Sequence, residues 1–424
     1  MRENTFFIKT LGCKVNQYEE QVIRENLESF GMKEAASVNA DVLIVNSCTV
    51  TGQADIKTKK LLRKIKKENP KGKVIVTGCY AVLKDDIEKL RAMPEVDMVI
   101  PGKDKEKLAD ILCSALSEKK ERSSGGVKGL SKHTRVFLKI QDGCDQKCSY
   151  CKINIVRGSS KSKKEDDVID EVRRLAEKHK EIVLTGICLG AWQGKDYRDL
   201  SDLLKKIDAM EEDFRVRLSS IEPNLVDDKL IETMSSSPKI CKHLHIPLQS
   251  GADKILKMMN RKYGRSEFET LIKKIREKIP SCGITIDMIT GFPGETEKDF
   301  EETREFIKKI KPSRMHVFTY SDRKGTIAFD LKDKIPPGDA KRRSNELIEM
   351  GEKLKNEFCE SFYQKNVEIL VEKIEENNFC EGYTGEYVRA RCDYSNKNVQ
   401  KGDTFIMKVD NIEKSAAILK GHVI

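Results

Sequence analysis

A three-part α/β fold is predicted: two parts built on parallel sheets, then a small antiparallel barrel. Three observations predict it. The first hundred residues alternate short apolar runs with amphipathic stretches, and the next two hundred repeat that rhythm. The last sixty contain only short β-rich runs divided by Asn, Gly and Asp. A chain of 424 residues has room for about two to four domains with real cores.

In the first part the β-rich runs are residues 6–8, 42–45, 74–76 and 96–100, with helical patterns such as 18–30 and 54–67 between them. Strands separated by single helices favour a parallel sheet with right-handed crossovers. Residues 117–133, rich in charge, Ser and Gly, read as a linker. A second series follows, with strands at 135–140, 181–185, 215–219, 243–248, 283–289 and 314–319. Helical patterns at 165–179, 198–209, 266–278 and 297–309 alternate with them. Six such units are too few for an eight-fold barrel of about 250 residues. An open six-stranded barrel or a doubly wound sheet remains. A charged helix, 339–363, leads to strands at 367–374, 382–391, 404–409 and 415–418, which suit a small barrel. The expected domains are therefore 1–116, 134–363 and 364–424.

Lys and Arg number 79 against 69 Asp and Glu, a net charge of +10 that suits a polyanionic partner. A mean hydropathy of −0.54, with no 18-residue apolar run, excludes a membrane-spanning helix. The opening MRENTFFIKT lacks the basic and apolar regions of a signal peptide, so a cytoplasmic protein is expected. In that compartment thirteen cysteines are not a disulfide framework. They are filler, or some of them bind metal.

Cys144, Cys148 and Cys151 stand in QDGCDQKCSYC, just past the first strand of the second series. Chemistry in α/β folds gathers at such strand ends. Three thiolates on one loop can hold three irons of a four-iron cluster, leaving the fourth open to a substrate or cofactor. Zinc is the competing metal, though it favours four ligands arranged as paired C-x2-C. Cys13, Cys48 and Cys79 each follow an apolar strand, in FFIKTLGC, DVLIVNSC and KVIVTGC. Adjacent parallel strands bring such loops together, and Gly12 and Gly78 let backbone approach a bulky ligand. A second open-site cluster is the sharper reading; buried strand-end cysteine is the plainer one. Cys113, Cys188, Cys241, Cys282, Cys359, Cys380 and Cys392 are scattered and read as small buried hydrophobes.

C-x3-C-x2-C opening a βα series, with Tyr150 before its third cysteine, resembles the radical S-adenosylmethionine (SAM) enzymes. Both cysteine groups together with the strand-rich tail resemble the radical SAM methylthiotransferases over nearly the whole chain. That resemblance implies a flavodoxin-like N-terminal domain with an auxiliary 4Fe–4S cluster. It also implies a partial (β/α)6 barrel with the SAM-binding 4Fe–4S cluster, and a C-terminal RNA-binding TRAM β-barrel. TLGCKVNQYE at the start, NSCTVTGQAD, HLHIPLQSG and HVFTYSDRKGT resemble the subgroup acting on threonylcarbamoyladenosine. Isopentenyladenosine enzymes tend toward GCQMN, and ribosomal-protein aspartate enzymes toward GCPKN. The implied reaction is 2-methylthiolation of N6-threonylcarbamoyladenosine at tRNA position 37. Its implied partners are the tRNA anticodon stem–loop, an electron donor such as a flavodoxin, and a sulfur source. One departure is that CSYC runs into Lys152-Ile153-Asn154, where relatives usually have Ile-Ile-Pro. The loss of proline alters loop rigidity and removes no ligand.

On the same resemblance, Gly186 and Ile187 belong to a glycine motif whose backbone meets the SAM methionine. Ser220, Glu222 and Gln249 sit where ribose and substrate contacts are expected, and Gly291 allows close approach near the adenine. Arg157 is expected to pair with SAM or with cluster charge. His243, His245 and His316, spaced as strand residues, read as inward polar or surface groups rather than metal ligands. The tail is nearly neutral, nine basic residues against ten acidic between positions 365 and 420. Any RNA contact there falls to Arg389 and Arg391, with Tyr387. The basic run is elsewhere: residues 57–73 carry nine Lys/Arg against Glu68, among them Lys57, Lys59, Lys60, Arg63 and Lys64. Such a run is a solvated helix face or a phosphate-binding one. The competing reading from another class is a non-catalytic iron–sulfur or zinc protein that binds RNA.

Overall fold

The computed structural model describes residues 5–115, 134–395 and 397–424; the expected linker, 117–133, lies outside the described residues. The first part comprises β1 (Thr5–Thr10), α1 (Lys14–Ser29), β2 (Lys33–Glu34), β3 (Val42–Ser47), α2 (Gly52–Glu68), β4 (Lys73–Gly78), α3 (Lys84–Arg91), β5 (Met98–Val99) and α4 (Leu108–Ala115). The five strands are parallel in the order β2-β1-β3-β4-β5, the flavodoxin-like arrangement. Every residue of β3 is buried, which explains its unbroken apolar run: a central strand is covered on both faces. The strand expected at 96–100 shrinks to two residues because the Val96 N–H closes a turn onto Met93 O.

The second part begins with β6 (Arg135–Lys139) and a small ribbon, β7 (Gln141–Asp142) with β8 (Lys161–Ser162), enclosing α5 (Ile153–Arg157). It continues α6 (Glu165–Ala176), β9 (Glu181–Thr185), α7 (Leu200–Asp208), β10 (Arg215–Leu218), α8 (Asp228–Ser236), β11 (His243–His245), α9 (Asp253–Met258), α10 (Arg265–Lys278), β12 (Gly283–Thr290), α11 (Glu297–Ile310) and β13 (Arg314–Thr319). Two three-stranded sheets are joined by parallel bridges Val216↔Ile240 and Ser220↔His245. The order therefore runs β6-β9-β10-β11-β12-β13 without the reversal that defines a doubly wound sheet. Of the two arrangements the sequence left open, the open barrel is the one found. Val136, Leu138, Ile182, Leu184, Val216 and Leu218 join the helices in the main core. By the two-residue period of strands, Arg135, Glu181, Arg217, His243 and Asp287 turn to the lumen.

The long helix α12 (Pro337–Glu360) leads to a closed barrel of β14 (Asn366–Ile374), β15 (Phe379–Thr384), β16 (Arg389–Asp393), β17 (Thr404–Glu413) and β18 (Ile418–Val423). The single strand expected at 382–391 is two, because the chain turns where the Tyr387 N–H reaches Thr384 O and Tyr387 takes φ 70°. The strand expected at 415–418 is mostly a turn, with Ala417 at φ 49°, and the pairing segment follows it. The turn between β15 and β16 plugs the floor of the central barrel. Arg217 donates to Thr384 O (3.0 Å) and Gly385 O (2.9 Å). A Cβ on Gly283 would lie 2.1 Å from Glu386 O, so β12 starts with glycine where that turn presses in.

Candidate functional site

The N-terminal sheet ends in a row, Thr10 beside Asn46 beside Thr77. The chain then delivers Cys13, Cys48 and Cys79 to one edge. Gly12 has φ +109°, and a Cβ there would meet the Cys48 sulfur at 3.0 Å, so only glycine fits. Asn16 ties the group together. Its Oδ1 accepts from Cys79 Sγ (3.8 Å), Cys13 Sγ (4.0 Å) and Arg157 Nη2 (2.6 Å), while its Nδ2 holds Leu11 O and Ser47 O. Burial pushes the Cys48 thiol up to about 11, and the two other thiols push the same way. Burial raises Cys79 too, against the pull of Arg157 and Lys105. Behind the three thiols the side-chain oxygens of Thr10, Asn46 and Thr77 are buried without a hydrogen-bond partner.

The second group lies on the loop after β7. Backbone N–H groups of Gln146 and Ile153 point at the sulfurs of Cys144 and Cys151, each at 3.4 Å, and such donors favour thiolates. Burial nevertheless pushes Cys151 up to about 12. Cys188, read above as filler, is buried against the loop; its thiol donates to the Cys144 sulfur, which lowers Cys144. Arg261 went unnoticed in the sequence because MNRKYG offers no spacing signal, yet it organises this side. Its Nη1 is 3.1 Å from Cys148 Sγ, its Nε donates to Tyr263 Oη (2.9 Å), and its Nη2 pairs with Glu222. Tyr150 stacks edge-on against Phe292 beside it. Asn154, where relatives have proline, sits in the first turn of α5, a position that proline also tolerates. The Ile155 and Val156 N–H groups both close onto Lys152 O, which supplies the rigidity.

The other expected residues fall as follows. A Cβ on Gly186 would meet Gln141 Oε1 at 2.8 Å, and Ile187 beside it is half-buried. Ser220 bridges to His245, and Gln249, at φ 72°, bridges to Met288; a non-glycine residue in that conformation is strained. What the missing Cβ of Gly291 makes room for is Ala340 of α12, at 2.4 Å, in place of the expected adenine approach. Arg157 pairs with Asn16, Glu19 and Asp142, beside Cys79. His245 and His316 both lean on Asp287. Among the described residues these three are the only His/Cys/Asp/Glu group with ligand atoms all within 4.8 Å of one another. The cysteine trios are therefore spread wider than the ~3.8 Å between thiolates sharing one tetrahedral zinc.

On α2, Lys57, Lys60, Arg63 and Lys64 are exposed and Lys59 half-buried, with only Arg63 and Lys64 in ion pairs, to Glu95 and Glu68. The tail differs from expectation. Arg389 is paired with Glu381 and Arg391 with Glu375, while Tyr387 packs on His243 and Arg217 inside the barrel floor. Both arginines of the expected RNA contact are thus paired with carboxylates.

Residues 138–307 match the Radical SAM superfamily, and residues 5–101 match the Uncharacterized protein family UPF0004. The chain is 37% identical over 396 residues to the "Threonylcarbamoyladenosine tRNA methylthiotransferase MtaB" of Thermotoga maritima, covering 91% of this chain and 90% of that one. It belongs to the radical SAM tRNA methylthiotransferases. The Bacillus subtilis protein of the same name is 36% identical, over 91% of this chain and 89% of the relative. The "tRNA-2-methylthio-N(6)-dimethylallyladenosine synthase" of Carboxydothermus hydrogenoformans is also 36% identical, over 88% and 89%. Among solved structures, the radical SAM methyltransferase TsrM of Kitasatospora setae superposes with a TM-score of 0.56 at 13% identity, covering 77% of each chain, a likeness of fold. A radical SAM tRNA methylthiotransferase uses SAM and a 4Fe–4S cluster, and its substrate is tRNA. Among the described residues no helix is long and apolar enough to cross a membrane.

Proposed function

We propose that this methylthiotransferase replaces the C2 hydrogen of N6-threonylcarbamoyladenosine at tRNA position 37 with a methylthio group, and that it holds two 4Fe–4S clusters. The observation that carries the reading is a cysteine trio on each of two domains, the N-terminal one tied through Asn16 to Arg157, six residues past Cys151 in the second domain. Both trios suit clusters: each offers three thiols, spread wider than zinc wants, with cationic groups beside them. The unpartnered oxygens of Thr10, Asn46 and Thr77 fit a polar group seated on the N-terminal edge.

The C2–H bond is neither acidic nor attached to a leaving group, so the chemistry belongs to a cofactor. Bound and reduced, the loop cluster with SAM supplies a 5′-deoxyadenosyl radical, and a second SAM a methyl group. The chain's residues do the rest. Cys144, Cys148 and Cys151 hold the loop cluster; Cys13, Cys48 and Cys79 hold the other and present its sulfur. Arg261 offsets thiolate charge at Cys148 and fixes Glu222 toward the SAM side. Gly186 and Ile187 offer backbone to the methionine. Electrons and sulfur come from an outside donor and source. The substrate arm rests on TLGCKVNQYE and on relatives named for threonylcarbamoyladenosine. Relatives named for dimethylallyladenosine are nearly as similar, which makes the isopentenyl base the alternative.

Anaerobic reconstitution tests the site. Wild type should take up about eight irons, two four-iron clusters. Cys148→Ala should abolish SAM cleavage, whereas Cys48→Ala should keep cleavage and lose methylthiolated product. Product from Cys48→Ala would refute the role of the N-terminal trio.

A further inference from the structure

A cluster of ligating groups lies outside both cysteine trios, on the neighbouring parallel strands β11, β12 and β13. Asp287 of β12 is paired directly with His316 of β13. His245 of β11 is paired with Thr285, two residues before Asp287. By the two-residue period of strands, the three side chains share the lumen face. Each oxygen of Asp287 meets one imidazole: Oδ2 lies 3.1 Å from His245 Nε2, and Oδ1 lies 3.2 Å from His316 Nδ1. The two rings stack with centroids 5.6 Å apart, and the three ligand atoms all lie within 4.8 Å of one another. The strand spacing of the histidines was plain in the sequence. What makes them a ligand set is Asp287, carried by the strand between theirs.

Two imidazoles and a carboxylate form a donor set that first-row divalent ions take, with positions left open. Nitrogen and oxygen donors bound to one ion at about 2.1 Å stand roughly 3.0–3.4 Å apart, and both imidazole–carboxylate distances fall in that range. Thr285 Oγ1 lies 2.9 Å from His245 Nδ1, which keeps Nε2 turned to Asp287, the way outer partners fix metal-binding imidazoles. Charge points the same way. Among the described residues Asp287 pairs with no Lys or Arg, and imidazoles at neutral pH are largely uncharged. A half-buried carboxylate so placed gains from a cation on its own oxygens. Side-chain exposure rises from 14% at His245 to 40% at His316, so the cluster is reached from the His316 side.

We propose that His245, Asp287 and His316 form a metal centre of their own, binding one divalent first-row transition ion through two imidazoles and a carboxylate. It is separate from both cysteine trios and independent of which base the enzyme modifies. The ion's remaining positions are left for water or for an oxygen or nitrogen ligand in the lumen.

The test uses full-length enzyme, reconstituted anaerobically with iron and sulfide and then dialysed against Co2+ as the probe. Wild type should hold one cobalt per chain. Its cobalt K-edge absorption should show imidazole nitrogen and carboxylate oxygen at about 2.1 Å, with no sulfur neighbour. Thr285→Val, which removes an outer partner and no ligand, should weaken cobalt binding about 10-fold, and His316→Gln and Asp287→Asn by about 100-fold each. Iron content should be the same in all three variants. Wild type without stoichiometric cobalt, cobalt held by sulfur, or full affinity in both His316→Gln and Asp287→Asn would each overturn the proposal. Should one variant fail to load iron, the other variant and the wild-type spectrum decide it.

Discussion

Arg261 is the residue on which the SAM side turns. It is fully engaged: one nitrogen meets the Cys148 sulfur, one Glu222, one Tyr263. Removing it leaves the half-buried Glu222 without its counter-charge and Cys148 without a cationic donor. Arg261→Met is expected to cut reductive SAM cleavage by about 10- to 100-fold, read as 5′-deoxyadenosine formed per cluster. Unaltered cleavage would remove Arg261 from the site. The six cysteines were legible in the sequence because spacing and strand ends alone place them. Arg261 and Cys188 were not, since each meets the loop across more than forty residues of chain and neither belongs to a periodic pattern. Arg157 was legible as a charged group of the site; that Asn16 and Glu19 of α1 hold it beside Cys79 could be known only once the two domains were docked.

At the scale of elements, α2 separates two readings of its charge. Thr51 caps the helix by accepting from the Ala54 N–H, and Thr58, Leu62 and Ile65 bury one face. Among the described residues Lys57, Lys59 and Lys60 lie on the remainder without an ion pair, whereas Lys64 and Lys66 are paired with Glu68 and Asp97. Replacing Lys57, Lys59 and Lys60 together by Glu should weaken stem–loop binding and lower the slope of log K against log salt by about 2 to 3. An unchanged slope would assign these lysines to solvent. Strand placement in the two parallel sheets followed from apolar runs, because buried strands are read directly from them. The small barrel was divided wrongly for a local reason. Residues 382–391 are β-rich throughout, and only the left-handed φ of Tyr387 after Gly385 breaks them. That turn is held by Arg215 and Arg217 of the central barrel, so its cause lies outside the segment.

The whole molecule is held by charge between its first two parts. Glu19 of α1 accepts from Lys105, Lys139 and Arg157, while Lys152 reaches Asp86 (2.7 Å) and Arg323 reaches Asp55 (2.8 Å). Burial pushes the Glu19 carboxyl up, but Lys105, Arg157 and Lys139 overcome it and hold it at about 2. Because that value is depressed in the folded protein, the stabilisation is complete above the ordinary carboxylate range near 4.3. It is lost as pH falls toward about 2. Iron-free protein should therefore keep a constant Tm from pH 7 to about 5 as far as Glu19 is concerned. Glu19→Gln should be destabilised by about 3 kcal/mol at neutral pH and should fall less steeply in acid than wild type. Parallel acid profiles would show that Glu19 does not hold the two parts together. That docking joins the domain that carries Cys13, Cys48 and Cys79 to the one that carries Cys144, Cys148 and Cys151.

The most direct test of the central claim is the nucleoside itself. Reconstituted, reduced enzyme is given SAM and an anticodon stem–loop with N6-threonylcarbamoyladenosine at position 37, and the digest is read by mass spectrometry. The account predicts conversion to the 2-methylthio nucleoside. An unchanged threonylcarbamoyladenosine, with an isopentenyladenosine stem–loop methylthiolated under the same conditions, would contradict it.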